Sequence, residues 1–191
     1  MPYCDLKKQL LSIVSFTEEE LDKICGYFES NSYSPKDFIL TTGTVSNKIH
    51  FITTGLIRVF HLKEDKEITS YLACDIDFVT AFSSYINQSK SFEAIQCIET
   101  TETLSITYDK MQELYQIIPK CEKIGRIMAE QNYLCMADRI LKLQMVPAKE
   151  KYQAFLQTAH PKIIQRTPLI HIASYLGITP ESLSRIRKSI S

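Results

Sequence analysis

The stretch that most constrains this chain is residues 167–189, TPLIHIASYLGITPESLSRIRKS. Two short helices are written into it. Thr167 is a good N-cap and Pro168 suits the first helical position; Thr179 and Pro180 repeat the start signal twelve residues later. Between them Gly177 supplies the left-handed residue that a tight inter-helix turn needs. Apolar residues at Leu169, Ile172, Leu176, Ile178, Leu183 and Ile186 give each helix one apolar face, and both faces turn toward a shared core. Ala173 falls on the inward side, where a small side chain lets two helices cross closely.

An alanine, a glycine four residues on, and then apolar positions at Ile178, Leu183 and Ile186 is the spacing of a DNA-binding helix-turn-helix. The alternative is an αα-hairpin that only packs. The residues expected to meet DNA are Thr167, Thr179, Pro180, Glu181, Ser182 and Arg185, with Arg187 and Lys188 behind. Residues 161–191 hold Lys162, Arg166, Arg185, Arg187 and Lys188 against Glu181 alone, five positive less one negative, or +4. The whole chain is neutral, so residues 1–160 carry −4. A basic end on an acidic body fits a module aimed at phosphate.

The 191 residues have room for one large domain or two small ones, and 45% hydrophobic content is enough for a real core. No apolar run approaches the roughly eighteen residues of a membrane span, so no membrane partner is expected. The first residues, MPYCDLKKQLLSIVSF, lack a small-residue cleavage site, so no signal peptide is read and a cytoplasmic location is expected. Six cysteines stand at 4, 25, 74, 97, 121 and 135 with no C-x-x-C pair and no histidine at zinc-ligand spacing. They read as reduced thiols used as small hydrophobes, with no metal and no cofactor expected. The four histidines (50, 61, 160, 171) are scattered, and no catalytic triad, phosphate loop or metal motif argues for an enzyme. His171 is expected to face solvent or the DNA backbone.

Upstream, residues 5–13 read as a short amphipathic helix. A second begins at Thr17, where Glu20 completes a capping box, and buries Leu21, Ile24 and Phe28. Between residues 33 and 107 the period changes from helical to two. In KIHFITTGLIRVFHLK, Ile49 and Phe51 alternate, Gly55 breaks the run, and Ile57 and Val59 face one way. Glu64-Asp65 marks a hairpin turn with EITSYLA as the return strand, and further strands are expected at 92–98 and 102–106. Many short strands separated by turn signals suggest a β-roll or barrel. Helix returns over 108–117. A long helix follows Pro119 to about Leu143, with Ile127, Leu134 and Leu141 spaced by seven and Ile124 on the same apolar set. That interval suits a helix–helix seam between two chains, or packing within one domain. Pro147 opens another helix that ends before Pro161.

A β-roll flanked by short helices, then a long helix, then a helix-turn-helix resembles the Crp/Fnr family of bacterial transcription regulators. The likeness covers almost the whole chain, most strongly at IASYLGITPESLSRIRK and GTVSNKIHFITTGLIRVF. It implies an α+β fold in three parts: a cyclic-nucleotide-binding-like effector domain at 1–118, a dimerisation helix and linker at 119–145, and a DNA-binding domain at 146–191. It also implies a homodimer built on Ile124, Ile127, Leu134 and Leu141, a two-fold-symmetric double-stranded DNA site, and RNA polymerase as a further partner.

The effector pocket departs from the family pattern. Nucleotide-binding members carry a Gly-Glu pair after a Phe, then an Arg followed by Ser or Thr about ten residues on. Here Thr80 and Ala81 follow Phe78-Val79, and Ser91-Phe92 stands where Arg-Ser is expected. The acid for the ribose hydroxyl and the guanidinium for the cyclic phosphate are both missing. Phe92 is expected to push into a place meant for a small polar group, and Lys90 offers at most a point charge. Cyclic AMP is therefore not the expected ligand; an unidentified small molecule, or none, takes its place. The recognition helix keeps the family's Glu and Arg as Glu181 and Arg185 but has Pro180 for the usual first Arg. Glu181 suits a cytosine amino group and Arg185 a guanine, although four residues apart they also suit each other. With Lys188 three residues from the last residue, no β-wing is expected. The competing function is a small-molecule sensor that acts through protein contacts without reading DNA sequence.

Overall fold

The computed structural model describes residues 3–64 and 66–190. Two helices come first, α1 (Tyr3–Ile13) and α2 (Glu18–Gly26). The capping box forms at the start of α2: Thr17 Oγ1 accepts from the Glu20 N–H, and Glu20 Oε2 accepts from the Thr17 N–H. Eight strands follow: β1 (Glu29–Tyr33), β2 (Phe38–Leu40), β3 (Lys48–Thr54), β4 (Leu56–Lys63), β5 (Lys66–Cys74), β6 (Asp77–Val79), β7 (Glu93–Cys97) and β8 (Thr101–Thr107). A short helix, α3 (Phe82–Asn87), interrupts them. Pairing is antiparallel throughout, in two four-stranded sheets ordered β1-β8-β3-β6 and β2-β7-β4-β5.

Gly55 is the hinge between the sheets. At φ 141° it joins β3 of one sheet to β4 of the other, and a Cβ there would overlap the Thr101 side chain. Both conditions exclude other residues. Of the expected Glu64-Asp65 turn, Glu64 has a left-handed φ of 50°, and Asp65 lies outside the described residues.

Three apolar clusters hold the chain together. The inner one fills the roll with Ile52, Ile57, Val59, Val79 and Ile95. A second lies between the outer face of β3 and β8 and the helices, joining Phe51, Leu104 and Ile106 to Leu6, Leu10, Leu21, Ile24 and Leu114. Covered on both faces, β3 and β4 are buried continuously over residues 49–52 and 56–60, His50 and Arg58 included, rather than in clean alternation.

The C-terminal part is helical: α4 (Tyr108–Ile117), α5 (Lys120–Met145), α6 (Ala148–Thr158), α7 (Pro161–Arg166), α8 (Leu169–Leu176) and α9 (Pro180–Ile190). The sequence reading missed α7, a six-residue helix between two prolines. The third cluster belongs here. Tyr152, Phe155, Ile163, Ile172, Leu176 and Leu183 pack together and reach Leu56, Leu72 and Cys74 of the roll. The α+β roll, long helix and helical C-terminal part expected from sequence are all present. No helix among the described residues is long and apolar enough to cross a membrane.

Candidate DNA interface and effector pocket

The helix pair is set by its turn. Gly177 adopts φ 65° at the end of α8, and its N–H bonds to the carbonyls of Ala173 and Ser174. Thr179 Oγ1 then accepts from the Ser182 N–H and caps α9. Ile172, Ala173, Leu176 and Leu183 are buried between the two helices, while Ile178 and Ile186 are partly buried beside them. One edge of the expected apolar face is bare: Leu169 is 42% exposed and Ile170 60%.

On α9 the expected polar set divides cleanly. Pro180, Glu181, Arg185, Arg187 and Lys188 are exposed, as is Thr179 before them, and Ser182 is half-buried. Hydrogen bonds from its own N–H and from Thr179 hold the Glu181 carboxyl below the usual carboxylate range, with a weaker pull from Arg185. Glu181 is therefore ionised and oriented at the first turn, a ready acceptor.

Thr167 does not belong to this set. It ends α7 rather than capping α8, whose N-cap is Pro168, and its side chain is buried with the hydroxyl unpartnered. Continuation of the preceding helix turns it inward, away from any DNA surface.

The charge of the C-terminal part is also partly spent. Lys162 Nζ sits 2.6 Å from Asp75 and 2.7 Å from Glu99, and Arg166 lies 3.0 Å from Glu99. These two cations fasten α7 to the roll. By sequence α9 carries Arg185, Arg187 and Lys188 against Glu181, three positive less one negative, a formal +2.

The fastening extends along α8, a contact sequence reasoning did not anticipate. Arg58 on β4 is 4% exposed. Its guanidinium donates to Gln96 Oε1 at 2.6 Å, pairs with Glu67 at 2.6 Å, and reaches His171 Nδ1 at 3.0 Å. The expected outward-facing His171 is thus half-buried; burial, and then the Arg58 charge, hold its imidazole below its ordinary pKa. Three residues after His171, Ser174 Oγ accepts from the Thr69 N–H and donates to the Glu67 carbonyl, covering part of the open edge of β5. Arg139 of α5 donates to the Thr69 carbonyl and stacks 4.3 Å over the Tyr175 ring. The signal was present: an arginine inside the apolar run LIRVF must find partners, because a buried cation without them is costly.

In the roll, the residues expected at the degenerate pocket bond to one another and to the backbone. Thr80 Oγ1 donates to the Lys48 carbonyl and lies 3.0 Å from Ser46 Oγ. Ser84 Oγ accepts from the Ser46 N–H and donates to the Ser89 carbonyl. Ser91 is buried, with its hydroxyl on the Glu93 carbonyl and its backbone tied to Gly43 and Thr44. Ala81 is fully buried and Lys90 is exposed. Phe78 is half-buried and packs at a tilt against Phe51, ring centroids 4.9 Å apart, outside the inner cluster. Phe92 does not fill the pocket as expected. It is 67% exposed, because it precedes β7 on the side of the chain opposite the buried Ser91.

Along α5 the apolar positions part company. Ile124 is buried in its own chain with Cys121, so it is not available to a second chain. Ile127 is half-buried, whereas Tyr133, Leu134, Ile140, Leu141 and Met145 are each more than half exposed and recur at helical spacing on one side.

No protein-family model matches the chain. The anaerobic regulatory protein of Pasteurella multocida is 27% identical over 194 residues, spanning 93% of this chain and 69% of that protein. The fumarate and nitrate reduction regulatory protein of Vibrio cholerae is 28% identical over 193 residues, spanning 93% of this chain and 75% of that protein. Among solved structures, FixK2 from Bradyrhizobium japonicum shares the fold with a TM-score of 0.75 at 18% identity, over 85% of this chain and 84% of that one.

Proposed function

We propose that the chain, which is similar to named regulatory proteins, is a member of the Crp/Fnr family and a homodimeric regulator that reads a two-fold-symmetric DNA site in the cytoplasm. The observation that carries this reading is the face of α9. Glu181, Arg185 and Lys188 stand exposed on a capped helix whose opposite side is anchored by the fully buried Leu183. Glu181 and Arg185 lie one turn apart and face base edges; Arg187 and Lys188, at the far end, face phosphate. The positive end of α9 adds to the attraction for the backbone.

The dimer is supported by the bare side of α5. Large apolar residues in a contiguous exposed run mark an interface, and Leu134 and Leu141 retain the interval of seven, with Ile127 at its start. Residues 1–118, 119–145 and 146–191 then act as roll, seam and reading head. The exposed Leu169-Ile170 pair beside the reading head suits an apolar contact with RNA polymerase.

Cyclic AMP is not the effector of this reading. The hydroxyls that replace the nucleotide's partners already satisfy one another and the backbone, so a phosphate entering there would have to break buried hydrogen bonds with no guanidinium in return. Selection from a random duplex pool by the full chain tests the function. A palindromic consensus bound by a species that sediments as a dimer at micromolar concentration is expected. Failure to enrich any sequence over the starting pool would leave the protein-contact sensor as the better reading.

A further inference from the structure

A cavity of about 260 Å³ lies outside the roll, bounded by α1, α2, α3, α4 and the first turns of α5. Its wall is made of Phe28, Phe82, Tyr108, Met111, Ile124 and Met128 among others, and none of its lining side chains is charged. Cys121 is in the wall too, and burial pushes its thiol up to about 11, so it stays protonated and neutral. Gln112, Tyr108, Tyr115 and Tyr85 are the cavity's polar side chains, and of these Tyr85 has the hydroxyl that is buried without a partner. Its ring is 7% exposed and packed edge-on to Tyr108 at 5.3 Å. A buried hydroxyl left unpaired costs stability that a bound acceptor or donor would recover. Ile86, 57% exposed, stands at the mouth.

We infer that this cavity is a binding site for a small uncharged lipophilic molecule, of fused-ring or short-chain type, that carries one hydrogen-bonding oxygen for Tyr85. The size fits. A cavity of roughly 150 Å³ takes benzene, so about 260 Å³ takes a molecule of about ten non-hydrogen atoms. The chemistry excludes the alternatives. A nucleotide or carboxylate would bring charge into a wall that has nothing to pair with it. Position gives the occupant a consequence: it would touch α3, which closes the old nucleotide cassette, and α5, which carries the exposed apolar run. Ligand occupancy there would therefore stiffen the junction between roll and long helix. The site stands whether or not α9 reads DNA, because nothing in it depends on the reading head.

Three naphthalenes of one ring skeleton test the site: 2-naphthol, naphthalene and 2-naphthoate, titrated by fluorescence and calorimetry into the full chain at neutral pH. 2-Naphthol should saturate at one per chain in the micromolar range and raise the melting temperature. Naphthalene should bind about two- to tenfold more weakly, the loss of one hydrogen bond. 2-Naphthoate should bind at least about tenfold more weakly than 2-naphthol. Tyr85→Phe, which deletes an unpartnered hydroxyl and so leaves the fold intact, should erase the difference between naphthol and naphthalene. Ala129→Phe should fill the cavity and abolish saturable binding; if it lowers the melting temperature, Ile86→Trp at the exposed mouth serves the same purpose. Absence of saturation, equal binding of 2-naphthoate, or binding unchanged in both blocking variants would overturn the inference.

Discussion

Residues 80–91 and residues 179–189 are both rich in hydroxyl side chains. The first carries Thr80, Ser83, Ser84, Ser89, Lys90 and Ser91; the second carries Thr179, Ser182, Ser184, Arg185, Arg187, Lys188 and Ser189. In the first, the hydroxyls of Thr80, Ser84 and Ser91 point inward and are consumed by carbonyls, amides and one another. In the second, hydroxyls cap and trim the helix while Arg185 and Lys188 are exposed. In the function proposed above, the two fates separate a binding site from its remnant. Polar groups that wait for a partner must stay hydrated, whereas groups that have lost one are stable in the interior only if they pair among themselves.

The largest effect that would sharpen the contrast comes from a third place. In the dimer proposed above, Leu134→Glu puts an unpaired charge into the seam, at a cost of about 3–5 kcal/mol. In a single chain that side chain is 65% exposed, so the fold should be untouched. Sedimentation should show monomers, operator binding should be lost, and the roll's melting temperature should stay put. A wild-type chain that is already monomeric would break the seam outright.

Next comes the open segment. Arg185→Ala should weaken operator binding by about 1–3 kcal/mol and relax one base pair per half-site, measured by competition with single-base variants of the site. Equal loss on operator and random DNA would demote Arg185 to a phosphate contact. The closed segment should respond in stability instead. Ser84→Ala strands the Ser46 N–H and the Ser89 carbonyl, so urea denaturation should report a loss of about 1–3 kcal/mol with intrinsic DNA affinity unchanged. A smaller effect is expected of Lys188→Ala, which should lower the salt dependence of binding by about one ion per half-site without altering sequence preference. The smallest is no effect at all: calorimetric titration with cyclic AMP should show no heat of binding at sub-millimolar ligand, and micromolar binding would show that the closed segment still opens.

What could be read from the sequence alone was whatever residues fix within a turn of themselves. The capping box at Thr17 and Glu20, the break at Gly55 and the left-handed Gly177 each follow from a local conformational demand, and each stands where it was expected. Such signals do not reach across the chain. Arg58 meets His171 from 113 residues away and Lys162 meets Asp75 from 87, and no spacing rule foretells a pair so distant. Periodicity also says that a face is apolar without saying what will cover it. Ile124 and Leu134 looked alike along the long helix; one is buried against α4 and the outer sheet cluster, and the other is bare. Thr167 failed for a related reason. Its cap signal was genuine in type, but the unforeseen α7 claimed the residue as its end.

The bonding of α8 to the edge of β5 makes the roll a jig for the reading head. Strand backbone, through Thr69 and Ser174, holds α8 and with it α9, and in the function proposed above this sets the tilt at which α9 meets a groove. In a two-chain assembly the separation of the two heads then depends on α5 alone, which works as a ruler of fixed length. Such an instrument tolerates half-sites one duplex turn apart, about 34–36 Å centre to centre, and a single inserted base pair would both lengthen the span and rotate one half-site out of reach.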